Sequence, residues 1–146
     1  MSRTVIDFLI RAKRATYAGG KGRIDSSRPD SHDLAYAEGP LRYLDTYLGG
    51  ERFIGEEAIW RERLPIWGMN YSGRVVREGF SGDFLKEALL LVSSEMPFRG
   101  PLSYQNGAYC YRCETEGDMD WFFGREVILK DEVLIYEALF HGGSII

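Results

Sequence analysis

The sequence contains few of the residues from which catalytic and metal sites are commonly built. It has two cysteines and two histidines, and no spacing among them supports a catalytic triad or a zinc site. Cys110 and Cys113 form a lone CxxC on a predicted strand, where residues three apart face opposite sides and do not converge on one ion. We therefore expect no metal site and no cofactor.

Clustered positive charge and long apolar runs are also absent. The formal net charge is −4, and no group of Lys and Arg is long enough to follow a phosphate backbone, so we expect no direct nucleic-acid partner. The N-terminal stretch MSRTVIDFLIRAKRA does not have the pattern of a signal peptide, and no segment approaches about eighteen uninterrupted apolar residues. We expect a cytoplasmic protein with no membrane partner.

Aromatic residues, in contrast, are abundant. They make up 14% of the chain, with nine tyrosines and eight phenylalanines. Tyrosine is typical of strands whose side chains have one apolar and one polar end. Hydrophobic residues at 45% and charged residues at 27% are ordinary for a globular protein, and 146 residues suffice for one core. We predict a single domain over residues 1–146.

Periodicity predicts two helices and eight strands. Apolar residues recur at helical spacing over residues 4–16, and Ser81 is a suitable N-cap for a second helix that runs to about residue 94. The strands are LAYAE, LRYLDTYL, ERFIGEEAIWR and LPIWGMNYS before the second helix, and LSYQN, AYCYRCET, DWFFGREVILK and EVLIYEALFH after it. Residues 18–33, rich in Gly, Ser, Asp and Pro, predict a long loop whose role stays open.

The second half of the chain resembles the first. Residues 53–73, FIGEEAIWRERLPIWGMNYSG, align without gaps with residues 122–142, FFGREVILKDEVLIYEALFHG. The alignment has six identities, where roughly one is expected by chance, and further matches extend to the other strands and the helices. We predict an α+β fold, internally duplicated, in which each half is a helix plus a four-stranded antiparallel meander. The halves, about 4–73 and 81–142, would be related by a pseudo-two-fold axis.

Alternation along the strands separates a helix-covered face from a candidate binding face. With a tight turn centred on Glu62-Arg63, Glu57 and Asn70 fall on the binding face, as do Glu126 and Glu137 in the second half. A shift of one residue in the turn register would exchange the faces. With the turn centred on Glu62-Arg63, the helix-covered face is the one that carries Ile54, Glu56, Ala58, Trp60, Pro65, Trp67, Met69 and Tyr71.

Glu57 and Glu126 are identical acids at matching positions of the two halves, each two residues from a shared glycine and a shared isoleucine. We expect them to line a partly apolar cleft, where burial would raise their pKa values and let them bind a cation or move a proton. The alternative is an exposed sheet surface, or pairing with Arg42 or Arg112 on the neighbouring strand.

Tyr43 and Tyr111 belong to a larger aromatic set that could form a pocket for a flat or cationic ligand. The alternative is that these rings only pack in the core and pair across strands.

The stretches LAYAEGPLRYLDTYLGGERFIGEEAIW and PIWGMNYSG, with FLIRAKRATYAGG and SSRPDSHDL upstream, resemble a small bacterial family of domains of unknown function. The motifs GGxxFxGEE and WxMNYxG are the most specific part, and the resemblance covers nearly the full length. Members are often described as XRE-type transcriptional regulators, because some carry an N-terminal helix-turn-helix. This chain starts at the first helix of the family domain. The resemblance therefore implies a sensing or dimerising domain and brings no catalytic residues.

These patterns favour a small-molecule-binding, effector-sensing domain with a cleft between or along the two halves. One alternative is an enzyme that uses Glu57 or Glu126 as general acid or base. Another is an interaction module that forms a homodimer through an edge strand or an apolar patch. The candidate ligand contacts are Glu57, Glu126, Tyr43, Tyr111, Asn70 and Glu137.

Overall fold

The computed structural model describes residues 1–146, which form two helices and nine strands. Helix α1 spans Arg3–Ala15 and helix α2 spans Gly82–Leu89. Neither helix has the length and apolar character that crossing a membrane requires. The strands are β1 (Arg23–Ile24), β2 (His32–Glu38), β3 (Leu41–Gly49), β4 (Arg52–Arg61), β5 (Leu64–Val75), β6 (Ser103–Asn106), β7 (Tyr109–Asp118), β8 (Trp121–Lys130) and β9 (Val133–Ser144).

All nine strands form one antiparallel sheet, in the order β1-β2-β3-β4-β5-β9-β8-β7-β6. Strands β2–β5 and β6–β9 are two meanders, and pairing of β5 with β9 makes the sheet continuous, with Tyr71 opposite Phe140. The predicted α+β fold, an internal duplication of helix-plus-meander units, is wrong. The protein is mainly β, because two short helices contribute to a single core against one sheet instead of completing two separate units.

The helices begin where their sequences predict, but α2 ends early. In α1 the buried Val5, Phe8 and Leu9 form the apolar stripe that packs on the sheet. Ser81 caps α2 as predicted, because its side chain accepts a hydrogen bond from the backbone N–H of residue 84. The helix does not reach residue 94, because the amides of residues 91 and 92 bond to carbonyls three residues back, in a tighter turn.

One face of the sheet is covered and the other is open. The covered face and the two helices share a core of 25 buried residues, with Trp67, Tyr111 and Phe122 among the fully buried side chains. On the open face, Ile54 and Leu139 are 60% and 57% exposed. The functional groups described below lie under the helices on the covered face.

A β-bulge decides which side chains share the covered face. The turn register at Arg61 and Leu64 is the predicted one, but the β4–β5 pairing shifts between Ile59 and Trp60, so that Ile59 lies opposite Trp67. The one-residue shift brings Trp67, Met69 and Tyr71 to the same face as Glu57. The predicted sorting of faces across this hairpin is therefore wrong, and the helices cover the Glu57 face. Strands β8 and β9 carry the same irregularity between Ile128 and Leu129.

The segment 18–33, predicted as a loop, is organised around a buried carboxylate. Asp33 is 1% exposed, and it accepts hydrogen bonds from the Ser27 backbone N–H and from the hydroxyls of Ser31 and Thr46. Burial raises the pKa of Asp33, but these hydrogen bonds outweigh that effect and hold the pKa below its ordinary value. The segment thereby brings Ala18 and the start of β2 to the edge of the cavity described next.

Candidate functional site

Two glutamates lie under the helices near the middle of the sheet. Glu57 on β4 is 3% exposed and Glu126 on β8 is 0% exposed. Each faces the covered side because it alternates with exposed neighbours, Glu56 and Arg125, along its strand. Ionised carboxylates at this depth require compensating charges or hydrogen bonds.

Helix α1 supplies the first compensating charge. Lys13 lies on the inner side of the helix, where its ammonium group binds the Glu57 carboxylate and donates a 2.6 Å hydrogen bond to the Phe98 carbonyl. Burial lowers the pKa of Lys13, and the charge of Glu57 opposes that shift. The sequence offered a signal for this contact, because Lys13 follows Leu9 by four residues and so falls within the apolar stripe of α1.

The segment after α2 supplies the second charge. Arg99 is 9% exposed, and its Nη2 donates to Glu126 at 2.6 Å while its Nη1 lies 3.8 Å from a Glu57 oxygen. Burial alone would lower the pKa of Arg99, but the charge and hydrogen bond of Glu126, together with Tyr136 and Glu57, outweigh burial and raise the pKa well above its ordinary value. Arg99 thus connects the two glutamates. No pattern in the sequence indicated its role, because it lies in an irregular segment that only the fold brings to the sheet.

Both oxygens of Glu126 accept hydrogen bonds from protein groups. Besides Arg99, the hydroxyls of Tyr111 and Tyr136 donate to its two oxygens at 2.6 and 2.8 Å. Burial raises the pKa of Glu126, but Arg99 and these hydrogen bonds outweigh it and hold the pKa below its ordinary value. Tyr111 in turn accepts a hydrogen bond from the Gly100 backbone N–H, which fixes the segment that carries Arg99. The carboxylate of Glu126 therefore holds neighbouring parts of the fold together and is not free to bind a ligand.

Asp45 on β3 has the opposite character. It lies directly across from Glu57 in the strand pairing and is 4% exposed, and its only hydrogen bond comes from the Tyr71 hydroxyl. Burial, reinforced by the charge of Glu57, raises the pKa of Asp45 to about 7. Sequence reasoning missed this residue. The available signal was its place between Tyr43 and Tyr47 in the alternation of β3, where both neighbours on the same strand face are aromatic.

A cavity of about 300 Å³ opens beside Asp45 and Glu57. It lies between the sheet, the end of α1 and α2, and the exposed Gly49 and Gly50 of the β3–β4 turn are at its rim. The backbone at Gly55 must stay bare, because a Cβ there would overlap the Tyr71 hydroxyl. Aromatic rings form much of the wall: Tyr17, Tyr43, Tyr47, Phe53, Tyr71, Phe80 and Tyr136.

Two of the six residues predicted as ligand contacts line this cavity. Glu57 and Tyr43 line the cavity, whereas Glu126 and Tyr111 lie beside it in the core and bond to each other. The remaining two, Asn70 and Glu137, are on other sheet positions outside the cavity, and Glu137 pairs with Arg74 and Arg125.

The alternative pairing of the two glutamates with Arg42 or Arg112 is wrong. Both arginines are exposed, and Lys13 and Arg99 take their place. No group of three or more His, Cys, Asp or Glu side chains is arranged to hold a metal ion.

The arrangement defines a mainly-β domain with a small, aromatic-walled cavity over a buried charged cluster, which we define as Lys13, Glu57, Arg99 and Glu126. Residues 45–145 match the family model described as a domain of unknown function, DUF5680. The chain belongs to this family. Neither a curated protein nor a solved structure matches the chain.

Proposed function

We propose that the protein is a small-molecule-binding domain whose ligand occupies the cavity beside Asp45 and Glu57. The observation that carries the proposal is an aromatic-walled space of about 300 Å³ into which a nearly buried carboxylate presents an oxygen that no protein group binds. Ligand sites are typically concave and mostly apolar, with a few polar groups that fix orientation. The cavity has that composition.

The polar groups at the cavity support a site over a simple packing defect. Empty packing defects in proteins are apolar, whereas this cavity borders Asp45, Glu57 and Arg99. The Nε of Arg99 is buried without a hydrogen-bond partner, so it is a donor that a bound molecule could satisfy. Asp45 is buried without an ion pair, which costs stability, and a bound ligand would offset that cost.

The resemblance to a family associated with XRE-type regulators suggests how such binding would be used. A ligand that binds only the folded domain stabilises it, and a domain joined to a DNA-binding partner could pass on that change. Effector sensing is therefore the use we propose for the site. The family match itself names no function.

One observation favours catalysis as the second candidate. The pKa of Asp45 is raised to about 7, close to the value at which a carboxyl group serves best as general acid or base near neutral pH. Glu126 is committed to Arg99 and two tyrosines, so the catalytic group in this reading is Asp45 and not Glu126. Turnover of a bound compound would distinguish this candidate from sensing.

The proposal is tested by a thermal-shift screen of the protein against a metabolite library. A compound at one hundred times its Kd should raise the melting temperature by about 5–10 °C in a domain of this size. The blocking variant is Val75→Phe, which fills the cavity from β5, and the control is Ser72→Phe on the exposed side of the same strand. Hits should stabilise the wild type and S72F but not V75F. Hits that stabilise V75F equally would place the ligand elsewhere and contradict the proposal.

A further inference from the structure

We propose that the ligand is an organic cation: a small molecule with an apolar or aromatic body and an ammonium group that contacts Asp45. This inference rests on the proposed function, because it names the class of ligand for the same cavity. It depends on three features, which are the balance of buried charge, the unfilled hydrogen-bonding positions of Asp45, and the aromatic walls.

The buried charges around the cavity are unbalanced by one carboxylate. Within the charged cluster, Lys13 and Arg99 carry two positive charges and Glu57 and Glu126 two negative ones, and the four groups contact one another. Asp45 forms no ion pair, although it lies opposite Glu57 on the neighbouring strand. An ionised Asp45 therefore adds an uncompensated negative charge to a buried place, which a cationic ligand would neutralise.

Asp45 also has free hydrogen-bonding positions toward the cavity. A carboxylate offers about four acceptor positions, and the Tyr71 hydroxyl fills one of them. In contrast, Glu126 accepts from Arg99, Tyr111 and Tyr136. A cationic group beside Asp45 would interact with these free acceptor positions through its charge, and an ammonium that carries N–H groups would also donate hydrogen bonds to them.

The walls suit a cation with an apolar body. The faces of aromatic rings attract positive charge, and the protein already uses this attraction nearby, since Arg99 lies 5.2 Å from the ring centre of Tyr71 and Lys13 lies 5.9 Å from that of Trp67. Tyr47 and Phe53 flank the glycine turn at the rim, so an entering ligand would pass their rings.

An anionic ligand fits the same groups poorly. It would approach Asp45 and Glu57, whereas the positive groups are already engaged, Lys13 with Glu57 and Arg99 with both glutamates. The free Nε of Arg99 is a single donor, which a neutral oxygen of the ligand would satisfy. The volume of about 300 Å³ is at the lower end for ligand pockets, so the ligand is about the size of one ring with a short substituent.

The binding of a permanently charged cation should depend on pH through Asp45. The pKa of Asp45 is raised to about 7 by burial and the charge of Glu57, so its charge appears as the pH rises through this value. His32 on β2 also borders the cavity and needs its own control. The other ionisable groups around Asp45 are Lys13 from α1, Tyr17 after it, Tyr43 and Tyr47 from β3, Glu57 from β4, Tyr71 from β5, Arg99 from the segment after α2 and Tyr136 from β9.

Three probes of similar size test the inference: phenyltrimethylammonium, its neutral isostere tert-butylbenzene, and benzoate. Binding to the full chain is measured by calorimetry or by NMR titration at pH 8 and pH 5.5. At pH 8 the cation should bind at least about tenfold more tightly than the isostere, since the two differ only in charge. At pH 5.5 its affinity should fall by about tenfold or more as Asp45 becomes protonated.

Variants assign the effect to Asp45. Asp45→Asn should lower the affinity for the cation at pH 8 by about tenfold or more, leave the isostere unchanged, and abolish the pH dependence. His32→Gln should keep that dependence. Circular dichroism and thermal melts confirm that both variants fold, and the neutral probe serves as an internal control for the shape of the cavity.

The outcomes separate the inference from the proposed function. If tert-butylbenzene or benzoate binds as tightly as the cation, and Val75→Phe abolishes that binding, the cavity is a ligand site but the inference is wrong. If none of the probes binds, the inference fails, and the library screen decides the proposed function independently. A pH dependence that disappears in His32→Gln and persists in Asp45→Asn would also overturn the inference.

Discussion

Glu57 and Glu126 occupy corresponding places in the two meanders but have different surroundings. Each lies on the strand next to the central β5–β9 pair, and each strand pairing has its bulge two residues further on. Glu126 is closed in by Arg99 and two tyrosine hydroxyls. Glu57 borders the cavity and is held by Lys13. Similar backbone positions thus form a structural centre in one meander and a candidate binding site in the other.

Side chains on the neighbouring strands produce this difference. Opposite Glu126 lies the thiol of Cys113, whose pKa burial raises to about 11, whereas opposite Glu57 lies the acid Asp45. Tyr136 donates a hydrogen bond to Glu126 from the place on β9 that Trp67 has on β5, and the buried indole N–H of Trp67 has no partner. The first meander therefore differs in two ways: it has the acid Asp45 where the second has Cys113, and it has Trp67 in place of a tyrosine hydroxyl that would bind the glutamate.

The largest expected effect comes from disrupting the surroundings of Glu126, the structural end of the charged cluster. Glu126→Gln removes the charge that Arg99 neutralises and leaves a buried guanidinium with only the distant Glu57 contact, so we expect a loss of about 3–5 kcal/mol in the free energy of unfolding. Urea unfolding at pH 7 measures it. A loss below about 1 kcal/mol would contradict the view that this end is structural.

Removal of the unpaired carboxylate of Asp45 should instead increase the free energy of unfolding. The raised pKa of Asp45 means that the folded state holds a proton which the unfolded chain releases, so stability is lost as pH rises toward about 7. Asp45→Asn keeps an acceptor for Tyr71 without this loss. Its advantage over the wild type should grow from pH 4 to pH 7, reach at most about 4 kcal/mol, and stay level above pH 7. Unfolding curves at several pH values measure it, and an advantage that shrinks with rising pH would contradict it.

Glu57→Gln should cost less than Glu126→Gln, by our expectation about 1–2 kcal/mol. Lys13 keeps its hydrogen bond to the Phe98 carbonyl, and its pKa is already lowered by burial, so it can shed its proton when the partner charge is lost. Urea unfolding of the two variants side by side makes the comparison. An equal or larger loss for Glu57→Gln would mean that the surroundings of Glu57 and Glu126 differ less than their contacts indicate.

The smallest expected effect comes from a change that makes the surroundings of Asp45 more like the corresponding place in the second meander. Tyr71 lies opposite Phe140 across the central strand pair, and Tyr71→Phe would place the same ring on both sides. The variant should lose about 1 kcal/mol at pH 8 and should raise the pKa of Asp45 further, because the Tyr71 hydrogen bond favours the ionised carboxylate. A carbon-13 NMR titration of the Asp45 carboxyl group measures the shift, and a lowered pKa would contradict the assignment.

The sequence predicted local structure well and long-range arrangement poorly. All eight strands that alternation predicted are present, and the Ser81 cap is correct, because both depend on neighbours in the chain. The joining of two meanders into one sheet depends on β5 meeting β9, which no local pattern encodes. The bulge beside Ile59 then exchanged the predicted faces, because alternation gives a period but not a register.

The candidate site was predicted in part for the same reason. Glu57 was selected because the strand alignment drew attention to it, and Tyr43 because of its aromatic setting. Asp45 was missed because no matching acid exists at Cys113, so the comparison of halves directed attention away from the residue that differs. Arg99 reaches the cluster from an irregular segment, and only the folded chain brings it there.

Trp67 gives this protein an optical reporter beside its candidate site. Its indole is fully buried, stacks on Phe122 at 5.8 Å and has the ammonium group of Lys13 within 5.9 Å of its ring centre. A nearby charge shifts indole emission, so any event that moves or discharges Lys13 should change the colour of its fluorescence. With Trp60 and Trp121 replaced by phenylalanine, the emission of the remaining tryptophan would follow ligand entry in real time without a label.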